Sequence, residues 1–135
     1  MPESGDGPRL IEVAAGIIWR GGRFLAAQRP TDKPLEGYWE FPGGKQEAGE
    51  TAAECLVREC REELGVEIEV AGLAEQAGYT YPENEVTVTF FEARINSGIP
   101  QKRVHQEILW VQPSALPQYD FCPADTEIIS RLAGG

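Results

Sequence analysis

A helix signalled at both ends, set among segments that read as strands, limits the folds open to this chain more than any other feature. The spacing predicts a helix from about Thr51 to Leu64, because Thr51 and Glu54 stand in capping-box register. Gly65 follows as a residue that enters the left-handed stop without steric penalty. With residues placed roughly 100° apart, Ala53, Leu56, Val57, Cys60 and Leu64 fall on one apolar stripe. Such a stripe has to be covered, and the neighbouring segments offer a sheet.

Those segments are short and rich in β-branched residues. "LIEVAAGIIW" and "RFLAAQR", joined by Gly21-Gly22, predict a hairpin with a two-residue turn. Residues 30 to 37 hold two prolines and a glycine and read as a loop. The aromatic stretch "YWEFPGG" ends on Pro42, Gly43 and Gly44, which permit a tight backbone turn into the helix. "VEIEVAGLA", "EVTVTFFEARI" and "EILWV" read as further strands, and a second helix is expected to begin near Asp125. Strands mixed with two helices predict an α/β (α+β) fold, a sandwich with a mixed sheet between helices. At 135 residues the chain has the size of a single domain, expected to span 9–135 behind a loose tail, 1–8, rich in glycine and proline. No internal repeat is present.

Charge narrows the partners. With 12 Lys and Arg against 22 Asp and Glu, the net charge is −10, so duplex nucleic acid is not an expected partner. A small anion delivered with a metal remains open. The opening "MPESGDGPRL" has neither a basic start nor an apolar run, and no stretch has the length to span a membrane, so a cytoplasmic location is expected. Cys55, Cys60 and Cys122 are an odd set without a C-x-x-C pair and are expected to be reduced.

Glu59, Glu62 and Glu63 are spaced i, i+3, i+4, so their carboxylates share one arc of the helix beside the apolar stripe. Each like-charge pair costs a helix about 0.2–0.5 kcal/mol unless a cation offsets it. Hard oxygen ligands at this density suit Mg²⁺, with Mn²⁺ as a substitute. Residues 44–67 carry seven of the 22 acidic residues and three basic ones, which a solvated acidic face also produces. Spacing alone therefore leaves both readings open.

The order of residues separates them. From Gly44 the chain runs five residues to Glu50, seven more, then Arg58-Glu59-Cys60-Arg61-Glu62-Glu63-Leu64-Gly65-Val66. This resembles the G-x5-E-x7-R-E-U-x-E-E-x-G-U signature of the Nudix hydrolases, where U is bulky and apolar, and Cys60 is its one soft departure. The resemblance extends from about residue 11 to 132. "WEFPGGK", "AAQRP" and "PAD" are similar to the branch containing MutT and the CTP pyrophosphohydrolases.

That resemblance implies a Nudix-type α/β/α sandwich and a Mg²⁺-dependent hydrolase that converts a (d)NTP to (d)NMP and pyrophosphate. Glu59 and Glu63, then Glu62, with the Gly43 carbonyl, are the implied metal ligands. Arg58 is implied as the ion-pair partner of a neighbouring carboxylate, and Glu107 as a fourth carboxylate that completes the metal shell or acts as general base. Glu50 either reaches the metal cluster or favours the helix start through its charge. Arg29 and Lys45 match phosphate-contacting positions, and Phe41, Tyr81, Asn84 and Asp125 fall near the positions that contact substrate and select the base. Asp125 equally suits a helix cap, and Tyr81 a core position. His105 is the single histidine, with a structural role expected.

The implied substrates are CTP, dCTP or 5-modified cytidine nucleotides, or 8-oxo-dGTP, in keeping with a nucleotide-pool sanitising role. ADP-ribose, a dinucleoside polyphosphate or an RNA 5′ end is the alternative, since the box handles metal and diphosphate and not the rest of the substrate. A binding module without catalysis would lack one of the box carboxylates, and Glu59, Glu62 and Glu63 are all present. The protein is expected as a monomer or homodimer.

Overall fold

Five consecutive residues of the first strand, Ala14 to Ile18, are buried, as a strand covered on both faces requires. The computed structural model describes residues 9–134, so the tail expected at 1–8 lies outside the described residues. Strand β1 (Arg9–Arg20) runs parallel to β6 (Asn84–Ser97), from Arg9 opposite Asn84 to Ile18 opposite Ala93. Its other edge takes the short β4 (Gly43–Lys45), antiparallel at Val13 to Ala15. Beyond β6 lies β5 (Glu67–Thr80), antiparallel to it.

The end of β1 turns back through Gly21 and Gly22, with φ of 59° and 79°, into β2 (Arg23–Gln28). Positive φ at both turn residues belongs to the hairpin turn whose twist matches that of the strands. β2 also pairs with β3 (Trp39–Glu40) and, along its other edge, with β7 (Glu107–Val111). The seven strands make one mixed sheet.

Alternation along β1 divides the core. Ala14 and Ile18 face helix α1 (Ala52–Leu64), meeting Leu56, Cys60 and Leu64. Ala15 and Ile17 face the opposite layer, with Phe24, Phe41, Phe90, Leu116 of the 3₁₀ turn Pro113–Gln118, and Ile128 of helix α2 (Thr126–Gly134). The result is the α/β/α arrangement expected from the resemblance. The capping box closes both ways: the Glu54 amide donates to Thr51 Oγ1 at 3.1 Å, and the Thr51 amide to Glu54 Oε1 at 2.9 Å. Gly65, at φ 73°, ends the helix with its amide donating to the Arg61 carbonyl.

The elements depart from expectation in three places. Cys55, outside the expected stripe, is fully buried because β4 passes beside it and its thiol reaches the Gly44 carbonyl at 3.4 Å. Ala53 and Val57 sit only half-buried at the stripe's margin. β5 continues to Thr80 instead of stopping near Ala74, because β6 supplies partners throughout, across register shifts at Val70/Gly72 and Leu73/Glu75. No helix of the described residues is long and apolar enough to cross a membrane.

Leu56 is fully buried, and its methyl groups lie 3.1 and 3.2 Å from where a Cβ on Gly16 would stand. Leu56→Ala is therefore expected to lower unfolding stability by about 2–5 kcal/mol in a denaturant titration. Val57→Ala, at the half-buried margin, is expected to lose clearly less.

Candidate active site

Arg58 gathers the acidic residues around the start of α1. Its Nε and Nη2 meet the two oxygens of Glu50 at 2.6 and 3.0 Å, a bidentate pair. Nη1 donates to Glu59 Oε2 at 3.0 Å and to Glu62 Oε1 at 3.3 Å, and Nη2 also reaches the Lys45 carbonyl at 3.2 Å. Glu47 stands 3.7 Å away. The Arg58 guanidinium beside Glu50, helped by the Glu47 amide, holds the Glu50 carboxyl down at about 2. Glu50 is thus committed to Arg58, whereas Thr51 caps the helix.

Glu59 lies directly on the backbone of β4. A Cβ on Gly44 would stand 2.4 Å from Glu59 Cδ, and one on Gly43 would stand 1.9 Å from the Ala14 carbonyl oxygen. Only glycine at both positions lets β4 fit between β1 and the helix side chains. Glu59 and Glu63 are sheltered, at 14% and 23% side-chain exposure, while Glu62 is turned outward at 60%. Burial pushes the Glu63 carboxyl up to about 9, with the hydrogen bond to Glu59 and the charges of Glu59, Glu40 and Glu62 adding to the rise.

Acidic neighbours around a sheltered carboxyl disfavour its charged form, and a cation there would offset that. Among the described residues no three acidic, histidine or cysteine side chains form a finished metal cage. The donor set nevertheless fits a divalent ion: hard oxygens, clustered negative charge, and an incomplete shell of the kind Mg²⁺ fills with water and substrate phosphate.

A second group of side chains adjoins the first through Glu40. Arg29 Nη1 donates to Glu40 Oε1 at 2.9 Å, and its Nε to the Pro34 carbonyl at 2.7 Å. His105 Nε2 lies 3.5 Å from Glu40 Oε2 and 3.8 Å from Glu63 Oε1. Asp125 is buried, and burial raises its carboxyl well above the ordinary range, with Glu40 adding. The Phe41 amide and Arg29 act in the opposite direction. The Tyr81 phenol is raised by burial, then by the neighbouring Cys122, with Asp125 also near, and its ring stands 4.6 Å from that of Tyr79.

The fold thus brings Arg29, Tyr81 and Asp125 into one neighbourhood and Arg58, Glu59, Glu62 and Glu63 into another. Phe41 directs its ring into the core between Phe24, Phe90 and Phe121, so that its amide and not its ring is offered to Asp125. Asn84 closes the β5–β6 hairpin by backbone bonds with Tyr81. Lys45 is exposed. Glu107 begins β7 with its carboxylate near Lys102 Nζ at 3.5 Å and its own following amide at 3.2 Å, and among the described residues no side-chain hydrogen bond or ion pair joins it to α1. One cleft, bordered by Ile17, Ala74 and Ile128, lies away from these residues, and another, bordered by Val57, Arg58 and Val70, flanks the Arg58 group. Glu40, Cys122 and the position of His105 were not readable as site features. Glu40 stands inside "WEFPGGK", but nothing in its spacing ties it to Arg29 or His105.

The model of the NUDIX domain family matches residues 14–131. The CTP pyrophosphohydrolase of Escherichia coli is 36% identical over 124 residues, which cover 92% of each chain. The 8-oxo-dGTP diphosphatase of Haemophilus influenzae is 38% identical over 125 residues, again 92% of each. Among solved structures, the E. coli ORF135 protein superposes with a TM-score of 0.79 at 35% identity, covering 91% of this chain and 88% of that one.

The Arg58–Glu50 pair sets an acid-limb signature. Because the Glu50 carboxyl is depressed in the folded protein, its stabilisation is present above its ordinary value of 4.5 and is lost as pH falls toward about 2. Glu50→Gln is expected to lower stability at neutral pH and to flatten the stability profile between those limits. Chemical denaturation at a series of pH values measures both, and an unchanged acid limb would exclude the pair as its source.

Proposed function

We propose, from the premise that this chain belongs to the Nudix hydrolase family, that it is a Mg²⁺-dependent nucleoside triphosphate pyrophosphohydrolase. The reaction is (d)NTP and water to (d)NMP and pyrophosphate. The observation that carries the reading is the seating of Glu59 on the glycine backbone of β4, with Glu63 beside it on the helix and Arg58 donating to one of its oxygens.

Glu59 and Glu63, with Glu62 and the Gly43 carbonyl, are the ligands for a divalent ion. When bound, that ion neutralises polyphosphate charge and lowers the pKa of an attacking water. The protein's own part is position. Arg58 holds the Glu59 and Glu62 carboxylates at 3.0 and 3.3 Å. Glu107 and Glu62, the more exposed carboxylates, are the candidates to accept the proton of a water that attacks the β-phosphorus, and Arg29 and Lys45 bring positive charge for the phosphates.

Asp125, with Tyr81 beside it, reads the base. Burial favours the neutral form of this carboxyl, and a neutral carboxyl offers one donor and one acceptor, which matches cytosine N3 beside its exocyclic amine. An ionised carboxylate would meet the N3 lone pair unfavourably. This supports CTP, dCTP or a 5-modified cytidine nucleotide as the preferred substrate, consistent with the name of the E. coli relative. The O6 and N1–H edge of guanine accepts the same pairing, so 8-oxo-dGTP is the second reading.

The test is turnover of a (d)NTP panel with and without Mg²⁺ in ¹⁸O-labelled water, where label is expected in pyrophosphate. Glu59→Gln keeps the shape but loses the charge and is expected to lower turnover by more than the roughly 10–100-fold that losing an outer-shell partner costs, with its thermal melt preserved. Near wild-type turnover at saturating Mg²⁺ would sink the glutamate-helix reading. Asp125→Ala is expected to lower kcat/KM on the order of tenfold for the best base and to spare the poorest, by removing a buried hydrogen-bond partner. Equal slowing on every nucleotide, with lost stability, would make Asp125 a structural residue.

A further inference from the structure

His105 has a side chain that is 2% exposed, and its two ring nitrogens meet different surroundings. Nδ1 is buried without a hydrogen-bond partner. Nε2 points to the carboxylates of Glu40 and Glu63, at 3.5 and 3.8 Å. A buried N–H without an acceptor is costly, so in a neutral ring the hydrogen belongs on Nε2, and a charged ring carries one there as well. In either state the edge facing the carboxylates is a donor.

The two carboxylates are not equivalent. Glu40 is already fixed by Arg29 at 2.9 Å through its other oxygen. Glu63 has no such basic partner among the described residues; its neighbours are Glu59, Glu40 and Glu62. Neither separation from Nε2 is a full-strength hydrogen bond, and a side-chain adjustment of under about 1 Å closes the one to Glu63.

We infer that His105 is a positioning residue for Glu63: backed by the Arg29–Glu40 pair, its Nε2–H donates to one Glu63 oxygen and leaves the other presented beside Glu59 for a divalent cation. This rests on the proposed metal role of Glu59 and Glu63. A donor behind a ligating carboxylate restricts its orientation before the ion arrives, and removal of such a partner costs metal affinity.

The experiment uses the full-length protein and compares wild type with His105→Gln, His105→Asn and His105→Leu. Mn²⁺ alone is titrated and the free ion followed by electron paramagnetic resonance. The Mg²⁺ dependence of turnover and a thermal melt accompany each variant. Glutamine places its amide nitrogen near the position of Nε2, asparagine falls short of it, and leucine has no donor.

Asn and Leu are expected to weaken Mn²⁺ binding and raise the half-saturating Mg²⁺ concentration on the order of tenfold, with kcat at saturating Mg²⁺ little changed and Gln close to wild type. Equal Mn²⁺ affinity in Gln and Asn, or losses that only track the melting temperature, would overturn the inference and leave His105 as a packing residue. If the Leu variant does not fold, the Gln and Asn comparison decides alone. If wild type binds no Mn²⁺, the metal role of Glu59 and Glu63 fails and this inference with it, a result distinct from a wild type that binds while the variants match it.

Discussion

The backbone of Gly43 and Gly44 is pressed between β1 on one side and the glutamate-bearing face of α1 on the other. A methyl group at Gly43 would collide with the Ala14 carbonyl, and one at Gly44 with the Glu59 carboxylate. Because the contact is backbone to side chain, a single ungainly residue in β4 would displace either the strand or the helix. The helix is held at that distance by Leu56, Cys60 and Leu64 packing onto β1 and β2. Core packing and the position of the carboxylates are therefore one constraint, not two.

Charge around this contact is arranged unevenly. Glu50, Glu59 and Glu62 share Arg58, and the Glu50 carboxyl is correspondingly depressed. Glu63, sheltered, and Asp125, buried, stand among acidic neighbours, and both are raised. Glu50 and Glu63 thus behave oppositely within one site, because Glu50 has a guanidinium within hydrogen-bond reach and Glu63 has burial and further carboxylates. Glu40 joins the two regions, with Arg29 on one oxygen and His105 near the other.

Much was legible in the residues alone, for a local reason. Capping, the left-handed stop at Gly65 and the two-residue turn at Gly21-Gly22 depend on neighbours within a few positions and form as read, while the apolar stripe forms with Cys55 added and with Ala53 and Val57 at its margin. The spacing of Glu59, Glu62 and Glu63 places them on one helix arc, which helical geometry alone decides. The family resemblance covered the α/β/α layering as well.

What the tertiary structure decided concerns residues far apart in the chain. Nothing near Glu40 in sequence indicates that it meets both Arg29 and His105, and nothing near Glu63 indicates that burial and three other acids surround it. The burial of Cys55 depends on where β4 lies over α1, a packing choice and not a periodicity. Phe41 shows the same division: the resemblance implied a position near the substrate, while core packing claims the ring and leaves the amide to Asp125. The chain's residues by themselves determined the helix, its caps and the arc of three glutamates, because these are set by local geometry. The protonation, exposure and partners of those glutamates were decided only by the fold, because electrostatics and burial act through space and not along the chain.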